Sequence, residues 1–180
     1  MFNNKKHVVL VGYMAAGKSE VGKKLAEITH LPFVDLDEHI EKQTGLSPAE
    51  WIVNRGDIAF RRVEHTLFTE LCQGLVPTII STGGGTPCYA QNDLWLQHPH
   101  CISFYLKAAP ATLLGRLQKS ASIRPLKPSA HTDEEALEHL AKHLFERVPY
   151  YTKAKHTIAT DGKNIDAVVA ELVKILETDQ

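Results

Sequence analysis

A chain of 180 residues, 43% hydrophobic and 23% charged, is long enough for one domain. Burying roughly 70% of its unfolded surface, such a chain needs neither disulfides nor metal to hold a core. With 20 Lys and Arg against 21 Asp and Glu, a formal charge of -1 offers no field for a polyanion, which argues against nucleic acid or an anionic membrane as main partner. Cys72, Cys88 and Cys101 are an odd number without a Cys-x-x-Cys pair, and no stretch reaches 18 apolar residues, so a cytoplasmic protein without a disulfide framework is expected.

Short apolar runs alternate with segments of helical period, the pattern of a parallel α/β sheet with crossover helices. The first strand is expected at His7 to Val11. Directly after it, Gly12-Tyr13-Met14-Ala15-Ala16-Gly17-Lys18-Ser19 fits G-x-x-x-x-G-K-[ST], a phosphate-binding loop opening a helix. There the glycines let backbone N–H groups converge on phosphate oxygens, Lys18 reaches the outer phosphates, and the Ser19 hydroxyl suits Mg²⁺. The following helix places Val21, Leu25 and Ile28 on its inner face.

The second strand, Phe33 to Leu36, leads to Asp35 and Asp37, which point the same way if the chain there is extended. One carboxylate near a metal and one near an acceptor hydroxyl would supply metal positioning and a general base; the alternative is that they cap the next helix, Glu38 to Gln43. Ser47 and Glu50, with Pro48 between them, form a capping box for another helix. After Gly56 and Asp57, a helical stripe of Phe60, Val63, Leu67 and Leu71 carries Arg61 and Arg62, of which at most one can face a cleft. That arginine could grip a small carboxylate, with Glu64 one turn on to orient it.

The third strand, Val76 to Ser81, runs into Ser81-Thr82-Gly83-Gly84-Gly85, where missing side chains let a ligand approach the main chain. A fourth strand is expected at Cys101 to Leu106. Residues 118 to 131 then hold Lys119, Arg124 and Lys127 among serines and prolines without one acidic residue, a basic loop. Thr132 and Glu135 start a helix ending near Arg147, Pro149 and Tyr150, where Arg147 also complements the helix dipole. A fifth strand, His156 to Ala159, precedes a last helix with Ile165, Val168, Val169, Leu172 and Ile175 facing inward. His139 and His143 lie one helical turn apart but lack the companions of a metal site, and nothing near Cys88 would activate it as a nucleophile.

Taken together, GYMAAGKS, FVDLDEHIE at 33 to 41, GDIAFRRVE at 56 to 64, STGGG at 81 to 85, IRPL at 123 to 126 and ERVPYY at 146 to 151 resemble shikimate kinase, a family of nucleoside-monophosphate-kinase-like P-loop proteins, from about residue 7 to 172. The resemblance implies a single kinase domain over 1 to 180, most plainly a monomer, with a five-stranded parallel sheet in order 2-3-1-4-5, a substrate-binding segment at 37 to 64 and a lid at 118 to 131. It implies transfer of a phosphoryl group from ATP, with Mg²⁺, to the 3-hydroxyl of shikimate. By the same likeness Gly12, Ala15, Ala16, Gly17, Lys18, Ser19 and Glu20 hold the nucleotide, and Ser19 and Asp35 the metal. Asp37 binds shikimate hydroxyls and acts as base, Arg61 and Arg147 take the carboxylate, Gly84 touches the substrate through its backbone, and Arg124 reaches the phosphates from the lid. Arg116 resembles an adenine-side arginine loosely.

Two positions depart from the family pattern. Ala15 replaces a glycine, which is tolerable while its φ stays negative, and Glu20 replaces Thr or Ser, where a carboxylate suits a helix start but repels phosphate if it faces it. Competing readings are a kinase of another hydroxylated acid such as gluconate, which would not need the paired arginines, and a nucleotide-binding module without activity. Retention of Lys18, Asp37 and Arg124 disfavours the latter, and no Asn-Lys-x-Asp segment supports a GTPase.

Overall fold

The computed structural model describes residues 6–119 and 132–178. Five parallel strands, β1 (His7–Val11), β2 (Phe33–Asp35), β3 (Ile79–Ser81), β4 (Cys101–Lys107) and β5 (His156–Ala159), form one sheet in the order β2-β3-β1-β4-β5. Seven α-helices flank it among the described residues: α1 (Lys18–Thr29), α2 (Leu36–Thr44), α3 (Pro48–Arg55), α4 (Asp57–Gln73), α5 (Pro110–Lys119), α6 (Asp133–Tyr151) and α7 (Ile165–Thr178). No described helix is long and apolar enough to cross a membrane.

Central strand β1 is buried at every position, as expected of a strand whose Val8 to Val11 are apolar and which is covered on both faces. Its neighbours are β3, with Val9 opposite Ile80, and β4, with Val9 opposite Ser103. The chain thus leaves the carboxyl end of β1 at a topological switch point, the crevice where parallel sheets accept ligands.

Several local expectations shift, each for a packing reason. Strand β2 stops at Asp35, and Asp37 lies in the first turn of α2, not in an extended segment. Asp35 caps that helix, its Oδ1 accepting the Asp37 N–H at 3.1 Å, so the capping alternative holds for Asp35. Strand β3 is shorter than expected: Val76 is exposed, and Pro77 has no N–H for the ladder. Ile28 is 45% exposed, and α1 instead turns Val21, Gly22, Leu25 and Thr29 inward.

Helix α4 buries the row Phe60, Glu64, Phe68 and Cys72, while Val63, Leu67 and Leu71 pack only partly against the core. A glutamate thus occupies a core row, which is tolerable only where it is paired. In α7 the buried set is Val168, Val169, Leu172 and Leu176, with Ile165 and Ile175 at the margin. The Ser47–Glu50 capping box is present, and Thr132 accepts the Glu135 N–H. Gln118 and Lys119 close α5; the rest of the basic loop, with Arg124, lies outside the described residues.

Candidate active site

The loop from β1 to α1 coils over the start of α1, with Gly17 as N-cap at φ 93°. Lys18, only 8% exposed, folds back so that its ammonium donates to the carbonyls of Gly12 and Tyr13, both at 2.9 Å. Ser19 Oγ donates to Asp35 Oδ2 at 2.5 Å and lies 3.3 Å from Ser81 Oγ. A hydroxyl and a carboxylate meeting at the carboxyl ends of β1, β2 and β3 form the hard oxygen donor set that suits Mg²⁺.

Ala15 sits at φ 60°, in the left-handed region, contrary to the expectation of a negative φ. An L-residue there carries a strain of about 1–2 kcal/mol, which a glycine would not feel. Ala15→Gly is accordingly expected to leave ATP affinity within about fivefold of wild type, while strain relief and the looser unfolded chain offset one another to within about 1 kcal/mol. Thermal melting and nucleotide titration check this; a hundredfold gain in ATP affinity would mean that Ala15 had been distorting the binding conformation. Glu20 is exposed and lines the same cleft.

The cleft, about 890 Å³, is lined by Lys18, Ser19, Asp35, Asp37, Gly83, Gly84, Arg116 and Asn164, among others. Arg116 is anchored there: Nη2 donates to the Thr160 carbonyl at 2.9 Å and Nη1 to Thr160 Oγ1 at 3.2 Å.

The three glycines after β3 are packed by three different partners. A Cβ on Gly83 would lie 3.0 Å from Asp37 Oδ1 and 3.2 Å from Glu64 Oε1. One on Gly84 would lie 3.3 Å from Arg147 Nη1 and 3.4 Å from the Met14 backbone nitrogen, and one on Gly85 would lie 2.9 Å from Arg61 Nη1. Removing side chains here therefore brings the expected base, both arginines and the phosphate loop around one strip of backbone.

Of the two arginines on α4, Arg61 turns in and Arg62 is exposed. Arg61 Nη1 donates to Glu64 Oε2 at 2.8 Å, Nε lies 3.3 Å from Asp57 Oδ1, and the guanidinium stacks on Tyr89 at 4.3 Å. Burial pushes the Glu64 carboxyl up, and Arg61 pulls it back; the guanidinium itself is raised because Glu64 and Asp57 outweigh the cost of its burial.

Across the strip, Arg147 lies over the Tyr13 ring at 5.7 Å. Tyr151, one turn on, donates to the Gly84 carbonyl at 2.5 Å. Tyr13 Oη and His143 Nδ1 share a hydrogen bond at 2.8 Å; burial raises the phenol and lowers the imidazole.

The contacts of Tyr13, Thr86, His143, Tyr151 and Thr160 escape sequence reasoning: Tyr13 fills a free position of the loop pattern, His143 stands out only for its spacing from His139, and Thr86 and Thr160 carry no spacing signal. Cys88 is half-buried, and burial raises its thiol, so it stays protonated at neutral pH.

A phosphate-binding loop at the switch point of a 2-3-1-4-5 sheet, opening on a carboxylate and a pair of arginines, is the architecture of a P-loop phosphotransferase for a small acid. The family model for shikimate kinase matches residues 14–177. The shikimate kinase of Flavobacterium johnsoniae is 48% identical over 170 residues, covering 94% of this chain and 98% of that one. The crystal structure of the Bacteroides thetaiotaomicron shikimate kinase superposes with a TM-score of 0.87 at 31% identity, covering 96% of this chain and 98% of that one. That of the Acinetobacter baumannii shikimate kinase, in complex with shikimate, superposes with a TM-score of 0.85 at 27% identity, covering 99% and 97%. This chain belongs to the shikimate kinase family, whose activity is the ATP-dependent phosphorylation of shikimate. Neither the gluconate reading nor that of an inactive nucleotide-binding module is favoured by these matches.

Proposed function

We propose that the strip Gly83 to Gly85 is the floor on which shikimate lies, with Arg61 and Arg147 holding its carboxylate, Gly84 touching it through the backbone and Asp37 facing its 3-hydroxyl. The observation that carries this reading is the convergence of Asp37, Arg147 and Arg61 on three successive glycines, the middle one of which also meets the phosphate loop. Planar guanidinium groups match a carboxylate bidentately, and two of them fix one end of a small ring so that its hydroxyl has a single address.

Asp37 then accepts the hydroxyl proton as the oxygen attacks the terminal phosphorus of ATP, and that proton leaves on the Asp37 carboxyl while ADP departs. Lys18 exchanges its two carbonyl partners for the phosphoryl oxygens on which charge develops. Gly12, Ala15, Ala16, Gly17, Ser19 and Glu20 form the loop around the phosphates, and Ser19 with Asp35 would hold Mg²⁺. Bound there, the metal supplies neutralising charge to the phosphates. Arg124, carried by the family likeness, closes the set of cations from the segment 118 to 131.

The test is the split between two Michaelis constants. Arg61→Ala and Arg147→Ala should each raise the shikimate KM by about 10- to 100-fold, the loss of charge-assisted bonds worth roughly 1.5–3 kcal/mol, and leave ATP affinity within about threefold. Weakened ATP binding with an unchanged shikimate KM would overturn the assignment of the two arginines.

A further inference from the structure

Beyond the floor of glycines, the chain enters a 3-10 turn at Thr86–Cys88 that is held by a run of buried hydrogen bonds. Thr86 Oγ1 donates to Glu64 Oε1 at 2.7 Å, so Glu64 spends one oxygen on Thr86 and the other on Arg61. The Thr86 carbonyl accepts from Asn92 Nδ2 at 2.9 Å, and Asn92 Oδ1 faces His65 Nδ1 at 2.6 Å. Since a carbonyl can only accept, the Asn92 amide has one orientation, and its oxygen must be met by an N–H on His65 Nδ1. Thr86 and Asn92 have no exposed surface, and Glu64 is 1% exposed.

Glu64 and His65 are neighbours on α4, so this one helix grips the turn at both ends of the chain of bonds. A carboxylate with a partner on each oxygen has its plane set; with one partner it can rotate about its last bond and carry Arg61 with it. Arg61 has another anion to follow, Asp57 at 3.3 Å on the outer side.

We propose that Thr86 is a positioning residue for the acceptor site: its hydroxyl sets the plane of Glu64, which in turn aims Arg61 across Gly85 at the substrate carboxylate, while Asn92 and His65 lock the turn that carries it. This rests on the reading of Arg61 as a carboxylate ligand.

The experiment compares Thr86→Val, Thr86→Ala and Thr86→Ser by steady-state kinetics in both substrates, each alone and with Arg61→Ala. Val and Ala lack the hydroxyl but differ in volume, so loss of packing separates them and loss of the bond does not. Both should raise the shikimate KM about tenfold, the usual size for a bond to a buried charge, with kcat and the ATP KM within about threefold. Ser restores the hydroxyl and should return the shikimate KM to within about threefold of wild type. In the Arg61→Ala background the Thr86 changes should add nothing, because the residue acts through Arg61.

A wild-type shikimate KM in both Val and Ala variants overturns the proposal, as does a parallel fall of melting temperature, kcat and both affinities. Should Val fail to fold, the Ala and Ser pair decides. An unchanged shikimate KM in Arg61→Ala alone would remove the carboxylate reading itself; a raised one beside unaffected Thr86 variants removes only the positioning role.

Discussion

Lys18→Ala is expected to lower kcat by about 10²–10³-fold or more while leaving the fold intact. Lys18 is almost wholly buried, lines the cleft, and its ammonium donates to two carbonyls of its own loop. A transferring phosphoryl group spreads charge over its outer oxygens, and a cation placed beside them stabilises that charge. Losing it leaves the Gly12 and Tyr13 carbonyls beside a water-accessible cleft, where solvent replaces the amine at little cost. ADP release in the presence of shikimate measures the effect, and a melting temperature within a few degrees of wild type shows that the fold is kept. Turnover within threefold of wild type would take Lys18 out of the reaction.

Asp37→Asn should reduce kcat by about 10²–10⁴-fold, the range for loss of a positioned general base, with a much smaller change in shikimate KM. The substitution keeps the size of the side chain and one acceptor oxygen but cannot take the proton. Asp37 stands in the first turn of α2, where a negative charge also favours the helix dipole, so a stability loss of about 0.3–1 kcal/mol accompanies the change. That loss is too small to unfold the chain, and kinetics on the folded protein remain readable. A kcat near wild type with a raised shikimate KM would reduce Asp37 to a ligand of the hydroxyls. Measured beside Arg61→Ala, which acts on KM, the two variants separate chemistry from grip.

The α/β alternation and the place of the phosphate loop were legible because both rest on local pattern, whereas the order of the strands came from the family resemblance. Val8 to Val11 is apolar throughout and is followed at once by Gly12 and then Lys18, so strand, turn and helix N-terminus are adjacent in the chain itself. The roles of Asp35, Asp37, Arg61, Gly84 and Arg147 came from a resemblance carried by motifs; in the structure Asp35, Asp37 and Gly84 line one cleft, and Arg147 and Arg61 lie against Gly84 and Gly85.

Periodicity alone misjudged the buried side of α4 and α1. On α4, the apolar residues Val63, Leu67 and Leu71 mark one stripe, yet the row turned fully inward contains Glu64. Hydrophobicity cannot announce a buried carboxylate, because what makes its burial tolerable is Arg61 on the same helix and Thr86 from a turn 22 residues away in sequence. Asp37 was likewise placed on a strand that ends two residues earlier, since the cap formed by Asp35 outweighs the extended preference of Phe33 and Val34.

The sequence by itself determined the α/β class and the phosphate loop, for these depend on residue types at short and regular spacing, and its motifs together carried the family resemblance that implies the acceptor. Only the tertiary structure decided that Ala15 lies at positive φ, that Tyr13 bonds His143 while Arg147 lies over its ring, and that Thr86 and Glu64 stand behind Arg61. Each of those contacts joins positions far apart in the chain or sets a backbone angle that no neighbour in sequence dictates. Their geometry exists only once the sheet has brought the ends of its strands together.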